Sequence, residues 1–292
     1  MKRMFIFFWF IVSLAAAAHA TDSESPNHNR ISEILFPETR DWQAIDSLPS
    51  PEMDKILRDR WLLRSIYLKT EQHVLMEIPD CSFITRALYE HFDLKLFRVA
   101  DLDGDGFADI AYSGSGECME GYATVIWFGA ESGLATRPVG IIPSRLLKVE
   151  MGGPRRISGV KTGCCDDVVD EYFIGDLRNP RRYAQVRVHK ALYIPKEMEL
   201  VSGDCTARRK LVLRQAPMRN DEYNQDASNA RSHAVFGNIV AEYLPGAKGN
   251  IVAYCKDDEG KRWGLLVVDE ASQALRTGST DNINVGWVLM KR

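Results

Sequence analysis

The chain has 292 residues, with 37 Lys and Arg against 40 Asp and Glu and a formal net charge of −3. That mildly acidic balance argues against nucleic acid as a partner, because binding through phosphates draws on clustered Lys and Arg. The length exceeds the roughly 100–200 residues of an average domain, so one large domain or two smaller ones are expected.

Residues 1–20 read as a signal peptide. Lys2 and Arg3 precede an apolar run from Met4 to Ala18, and Ala18-His19-Ala20 forms a small-residue cleavage site. The mature chain is therefore expected to start near Thr21 and to be periplasmic or secreted. The apolar run falls short of the roughly 20 residues a spanning helix needs, and no later stretch is longer, so no stable membrane insertion is expected. Cys81, Cys118, Cys164, Cys165, Cys205 and Cys255 remain after cleavage. In an oxidising compartment they predict three disulfides, whose pairing is open among about 15 combinations. The paired C-x-x-C or His spacings of a zinc site are absent.

Residues 21–49 are polar and contain proline, with one amphipathic fragment, RISEILF, and are expected to wrap over the surface or stay mobile. Helix is predicted from Ser50. Ser50 can cap, Pro51 suits the first helical position, and Met53, Ile56, Leu57, Trp61 and Leu63 recur at near-helical spacing. A second short helix is expected over CSFITRALYEHF, with Asp80 as its cap.

From Leu94 the texture changes to short β-branched and aromatic runs between glycine-rich turns, the pattern of an antiparallel sheet. LKLFRVA, FADIAYSG, YATVIWFG, RLLKVEM, RRISGVKT, VDEYFIGDL and RYAQVRVHKAL are candidate strands, and together with the helical segment they assign residues 50–215 to one β domain. Residues 216–231, charged and poor in core formers, read as a linker. AVFGNIVAEYL, GNIVAYCKD, RWGLLVVDE and NVGWVLMKR then predict a small β-barrel over residues 232–292, with ASQALRTGSTDN as a longer loop. The expected fold is mostly β: an antiparallel, sandwich-like or partly propeller-like sheet, short N-terminal helices, and a C-terminal barrel.

The stretch DLDGDGFADI places Asp101, Asp103, Asp105 and Asp109 close together, with Gly104 and Gly106 between them. On a straight strand these side chains would diverge, so convergence requires a coiled loop, which glycine permits. Converging carboxylates repel unless a cation sits among them. Calcium takes six to eight oxygens, and Asp101, Asp103, Asp105, the carbonyl of Phe107 and Asp109 supply most of that shell. Glu117 or Glu120 lies near enough in sequence to complete it. An EF-hand requires Glu at the twelfth position, which here is Tyr112, and the flanks alternate as strands. The loop therefore belongs to a hairpin, and its expected role is a calcium staple, with a regulatory or bridging calcium, completed by a partner's ligand, as the alternative.

VADLDGDGFADIAYSG resembles the calcium loop of FG-GAP repeat proteins, whose propeller blades carry D-x-D-x-D-G-x-x-D between two strands. Asp101, Asp103, Asp105, Phe107 and Asp109 match that motif position by position, and the resemblance implies calcium at those residues. It covers one hairpin, since the motif occurs once. The tail, NIVAEYLPGAKGNIVAYCKDDEGKRWGLLVVDE followed by NVGWVLMKR, is similar to bacterial Src-homology-3-like barrels, with Trp263, Gly286, Trp287 and Val288 at the matching places. That resemblance implies a module binding peptidoglycan or a peptide segment. The bland alternative is that Trp263 and Trp287 are core residues.

Catalytic signatures are absent: no G-x-S-x-G, H-E-x-x-H or G-x-x-x-x-G-K-[ST] occurs. Ser158 and Lys161 make an S-x-x-K match, but on a strand residues three apart face opposite sides. Asp166 and Asp167 with Asp170 and Glu171 form a poorer acidic cluster, read instead as a turn. The function expected is an exported, non-enzymatic binding protein whose partner is peptidoglycan or a protein, including a wall-degrading toxin that it neutralises. The rival is a cell-wall or polysaccharide hydrolase whose carboxylates meet only in three dimensions, which leaves no local motif.

Overall fold

The computed structural model describes residues 26–47, 97–116, 121–131, 141–142, 147–150, 155–162, 168–221, 237–277 and 282–290. The expected signal peptide, the two helices expected within 50–92, Glu117, Glu120 and the cysteines at 81, 118, 164 and 165 lie outside the described residues. No described helix is long and apolar enough to cross a membrane.

The first element is helix α1 (Pro26–Leu35), which leads into a 3-10 turn at Pro37–Asp41. The strands follow as β1 (Gln43–Ala44), β2 (Phe97–Ala100), β3 (Asp109–Gly116), β4 (Gly121–Trp127), β5 (Ile141–Ile142), β6 (Lys148–Val149), β7 (Arg156–Thr162) and β8 (Val169–Asp176). After them come β9 (Asn179–His189), β10 (Glu199–Thr206), β11 (Leu211–Arg214), β12 (Ile239–Tyr243), β13 (Lys248–Lys256), β14 (Arg262–Val268), β15 (Ala274–Thr277) and β16 (Val285–Leu289). The fold is mostly β, as the alternating texture predicted.

Strands β2-β3-β4-β5 form an antiparallel four-stranded sheet. The others join one large mixed sheet in which β1-β6-β7-β8-β9 runs into β16, and β16 also borders β11 and β14. The contact between β9 and β16 is parallel, Val188 opposite Val285. Ile157, Phe173 and Leu177 from the β7–β8 hairpin pack against Leu102, Ala111 and Ile126 of the small sheet. Val160 and Tyr172, on the hairpin's other face, join Val252, Trp263 and Trp287. Period-two alternation thus lets one hairpin serve two cores.

Helix α1 departs from the surface role expected of residues 21–49. Ile31, Ile34 and Leu35 form a stripe at helical spacing, and with Phe36 they are buried beside Tyr172, Leu192 and Trp263. Fully burying side chains of this size contributes about 1.5–3 kcal/mol each, enough to dock a helix whose other faces are polar.

The expected closed C-terminal barrel is not formed. Its strands sit in an open run β10-β13-β14-β16-β11-β12-β15. β10 lies along β13 and β11 lies between β16 and β12, so both insert from upstream of residues 216–231. A barrel must close its own edges, and here those edges are taken by strands from elsewhere in the chain. The run has two faces, with Trp263 and Leu265 on one and Leu266 and Val268 on the other. The loop expected around ASQALRTGSTDN contains β15.

Candidate metal centre

Ala100 pairs with Asp109 and Val99 with Ile110, so residues 101–108 connect β2 to β3. Leu102, 3% exposed, pins this connection into the core beneath the small sheet. Gly104 and Gly106 take φ of 67° and 91°, the left-handed region that glycine enters without cost from a Cβ.

Backbone amides then orient the acids. Asp109, fully buried, accepts from Leu102 N at 2.7 Å and Asp103 N at 3.2 Å on Oδ2, and from Gly129 N at 2.7 Å on Oδ1. Gly129 must be glycine, since a Cβ there would lie 2.4 Å from the Ala108 carbonyl oxygen. Asp101 accepts from Asp105 N at 3.0 Å and Gly106 N at 2.9 Å. Asp103, 1% exposed, accepts from Asp105 N at 3.2 Å.

One carboxylate oxygen from each of Asp101, Asp103 and Asp109 lies within 4.8 Å of the others. Burial pushes the Asp109 carboxyl up to about 6, and the charge of Asp103 pushes the same way, while the amides of Gly129 and Leu102 pull back. A cation among these oxygens would oppose both upward pushes. The donors are hard oxygens, the type that calcium and magnesium take. The three acids can thus hold a metal ion.

Asp105, also of the predicted set, is not one of the three converging acids. Asp105 is exposed, and its Oδ1 accepts from Phe107 N at 2.9 Å. The Phe107 side chain is 40% exposed.

Two arginines that sequence spacing did not indicate complete the site. Arg178, in the turn after β8, donates from Nη2 to Asp103 Oδ2 at 2.7 Å, and Arg155, just before β7, places Nη1 at 3.7 Å from the same oxygen. Leu177 N donates to Arg155 O at 2.9 Å, which holds the two together. Arg155 has φ of 63°, unfavourable for a residue with a Cβ, and its guanidinium lies over Gly104.

The remaining candidates fall elsewhere. Trp263 is buried and donates from Nε1 to Asp257 Oδ2 at 2.8 Å, and buried Trp287 donates from Nε1 to Tyr193 O at 2.8 Å. Both are core residues, and Gly286 and Val288 are buried beside Trp287. Ser158 is buried and Lys161 exposed. Asp170 meets His28 Nε2 at 3.0 Å, whereas Glu171 accepts from Gln185 Nε2 at 2.6 Å and Arg187 Nε at 3.2 Å, so this pair of acids does not converge. Asp166 and Asp167 lie outside the described residues. No disulfide occurs among the described residues: Cys205 and Cys255 are both free. Cys205 sits opposite Gly249, at the far end of β13 from Cys255, too distant to bridge to it.

No protein-family model matches the chain, and neither the curated proteins nor the solved structures give a match.

Proposed function

We propose that the chain is an exported, periplasmic binding protein, without catalysis of its own, whose small sheet is stapled by calcium and whose partner is a protein. The observation that carries this reading is the convergence of Asp101, Asp103 and Asp109 on a connection coiled by two glycines. Calcium suits the site better than magnesium, because it accepts irregular shells of carboxylate and carbonyl oxygens, whereas magnesium demands near-ideal octahedral geometry. Residues Asp101, Asp103 and Asp109 would hold the ion, with Asp105 and the Phe107 carbonyl as the further donors of the motif.

A staple fits the site better than a catalytic centre does. Both oxygens of each converging carboxylate already accept a bond from a loop amide or an arginine, so the ion would complete an ordered loop. The antiparallel β2-β3-β4-β5 sheet has the strand number of one propeller blade, which agrees with the FG-GAP resemblance. Burial of Trp263 and Trp287, the tail's expected glycan platform, supports a protein over cell-wall glycan, with Tyr193 and Phe107 as the large aromatics left exposed among the described residues. A sugar ring stacks on an exposed aromatic face, and Trp263 and Trp287 are inside. A secreted wall-degrading toxin, neutralised by this chain, is the partner that would join both expectations.

Pulldown from periplasmic extract, with purified peptidoglycan as a parallel bait, tests the partner. Recovery of one protein in a stoichiometric complex supports the reading, and retention on peptidoglycan alone replaces it. Melting with and without a chelator tests the cation separately. An unchanged transition would end the calcium part.

A further inference from the structure

Strand β10 is an open edge. It pairs with β13 on one side only, and no strand among the described residues takes the other. Every residue of β10 is half-buried or exposed, and Leu200 is 44% exposed. Natural edges are commonly blocked by proline, charged side chains or bulges; β10 has no proline or lysine, but it carries Glu199, Asp204 and one bulge. Its one irregularity, the register shift between Leu200 and Gly203, is braced from inside by Gly203 N donating to Asn250 Oδ1 at 2.8 Å.

The two ends of this edge carry opposite charge. Glu197 and Glu199, beside Lys196, are exposed at its start, with Arg262 Nη2 3.9 Å from Glu199 Oε2; Arg208 and Arg209 are exposed just past its end, outweighing Asp204. Lys210 is occupied by Glu242 at 2.8 Å. An antiparallel partner strand with the same charges would set the acidic end against the basic end, and a parallel one would set like against like. We propose that two copies of this chain pair through β10, antiparallel about a two-fold axis near Gly203. Such pairing gives an isologous interface, in which one patch serves both copies. It extends the large sheet across the dimer and satisfies the outward amides and carbonyls of both edges. A single strand edge buries less than the roughly 800 Å² per partner of a standard interface, so the dimer is weak, with Kd of about a micromolar or above. This inference stands independently of the cation.

Sedimentation equilibrium on the mature chain, from about 1 to 200 μM, tests it at concentrations that bracket that range. A monomer–dimer equilibrium is expected, weakened by salt because its selectivity is electrostatic. Two double variants are then compared, Arg208→Glu with Arg209→Glu, and Glu197→Lys with Glu199→Lys. Each alone should dimerise about tenfold more weakly or worse, and an equimolar mixture should recover association, because opposite ends again meet opposite charges. All four positions are exposed, so circular dichroism should report unchanged folds. Gly203→Cys supplies a geometric check, since a Cβ there meets nothing within 4 Å. A residue on the axis faces its own copy, so mild oxidation should cross-link the dimer through position 203. A monomer throughout the concentration range, a dimer that neither charge reversal weakens, or a dimer that Gly203→Cys fails to cross-link would overturn the proposal.

Discussion

Arg178 donates to Asp103 at 2.7 Å, setting a side chain that is 57% exposed on a carboxylate that is 1% exposed. Without a cation, this bond and the more distant Arg155 are the positive charges on Asp103. Arg178→Gln is therefore expected to destabilise the cation-free protein by about 1–3 kcal/mol, the cost of leaving a buried acceptor short of a donor. With calcium saturating, the loss should shrink, because the ion supplies the missing positive charge. Thermal unfolding of both proteins, each with chelator and with calcium, measures the difference of differences. An equal loss in the two conditions would show that Arg178 and the ion do not share Asp103.

The Asp109 carboxyl gives a pH signature of known sign. Its ordinary value is 3.8 and burial raises it to about 6, so the folded state holds the proton more tightly than the unfolded chain does. The contribution of this group to stability is therefore highest in acid and falls as pH rises from about 4 to about 6, by about 3 kcal/mol in all. Calcium prefers the ionised form and should flatten or reverse that slope. Urea unfolding at steps of pH across this window, with chelator and with calcium, reads both slopes. Asp109→Asn should abolish the difference between them, and identical slopes in the unsubstituted protein would contradict the site.

What the sequence disclosed and what it concealed divide along the range of the interactions. The acidic loop was legible because its ligands, its glycines and its hairpin flanks lie within a few residues of one another. Arg178 was not, because it reaches Asp103 from 75 positions away, brought there by packing of Phe173 and Leu177 under the small sheet. The tryptophans were visible as types, but whether an indole lines a groove or a core depends on partners such as Asp257 and Tyr193, which no motif marks. β10 was not legible because ELVSGDCT mixes acids and a glycine into its alternation, as an exposed edge strand can.

Tyr172 presents a polar group that the fold leaves unanswered. Its ring is fully buried, and among the described residues its hydroxyl has no hydrogen-bond partner and one oxygen of the nearby buried Asp170 is likewise unpaired. Burial, reinforced by the charge of Asp170, pushes the Tyr172 hydroxyl well above the ordinary tyrosine range. Removing an unpaired buried hydroxyl recovers its desolvation cost and leaves the packing of the ring intact. Tyr172→Phe is therefore expected to be neutral or to stabilise by about 1–3 kcal/mol, against the usual direction of core substitutions. Denaturant unfolding checks the sign. A clear destabilisation would mean that the hydroxyl does find a partner in solution.

The open C-terminal run makes a prediction about what folds alone. Residues 237–290 contain β12 to β16, the strands that would have closed a barrel, yet β11 sits between β16 and β12, and β10 covers β13. Cutting the chain before residue 237 removes Leu213, fully buried among Val240, Ala241 and Ile283, and bares the edges of β12, β13 and β16. Losing a buried leucine alone costs about 2–5 kcal/mol, and a fragment of this size has little stability to spare. Trp263 and Trp287 would also lose α1 and the β7–β8 hairpin from their surroundings. The fragment 237–292 is expected to be unfolded or aggregated, with poor dispersion in a proton–nitrogen correlation spectrum. Extending it upstream to residue 197 restores β10 and β11 and should improve dispersion, while the full chain should be needed for native tryptophan fluorescence. A well-dispersed, cooperatively melting spectrum from 237–292 alone would instead reinstate the independent barrel.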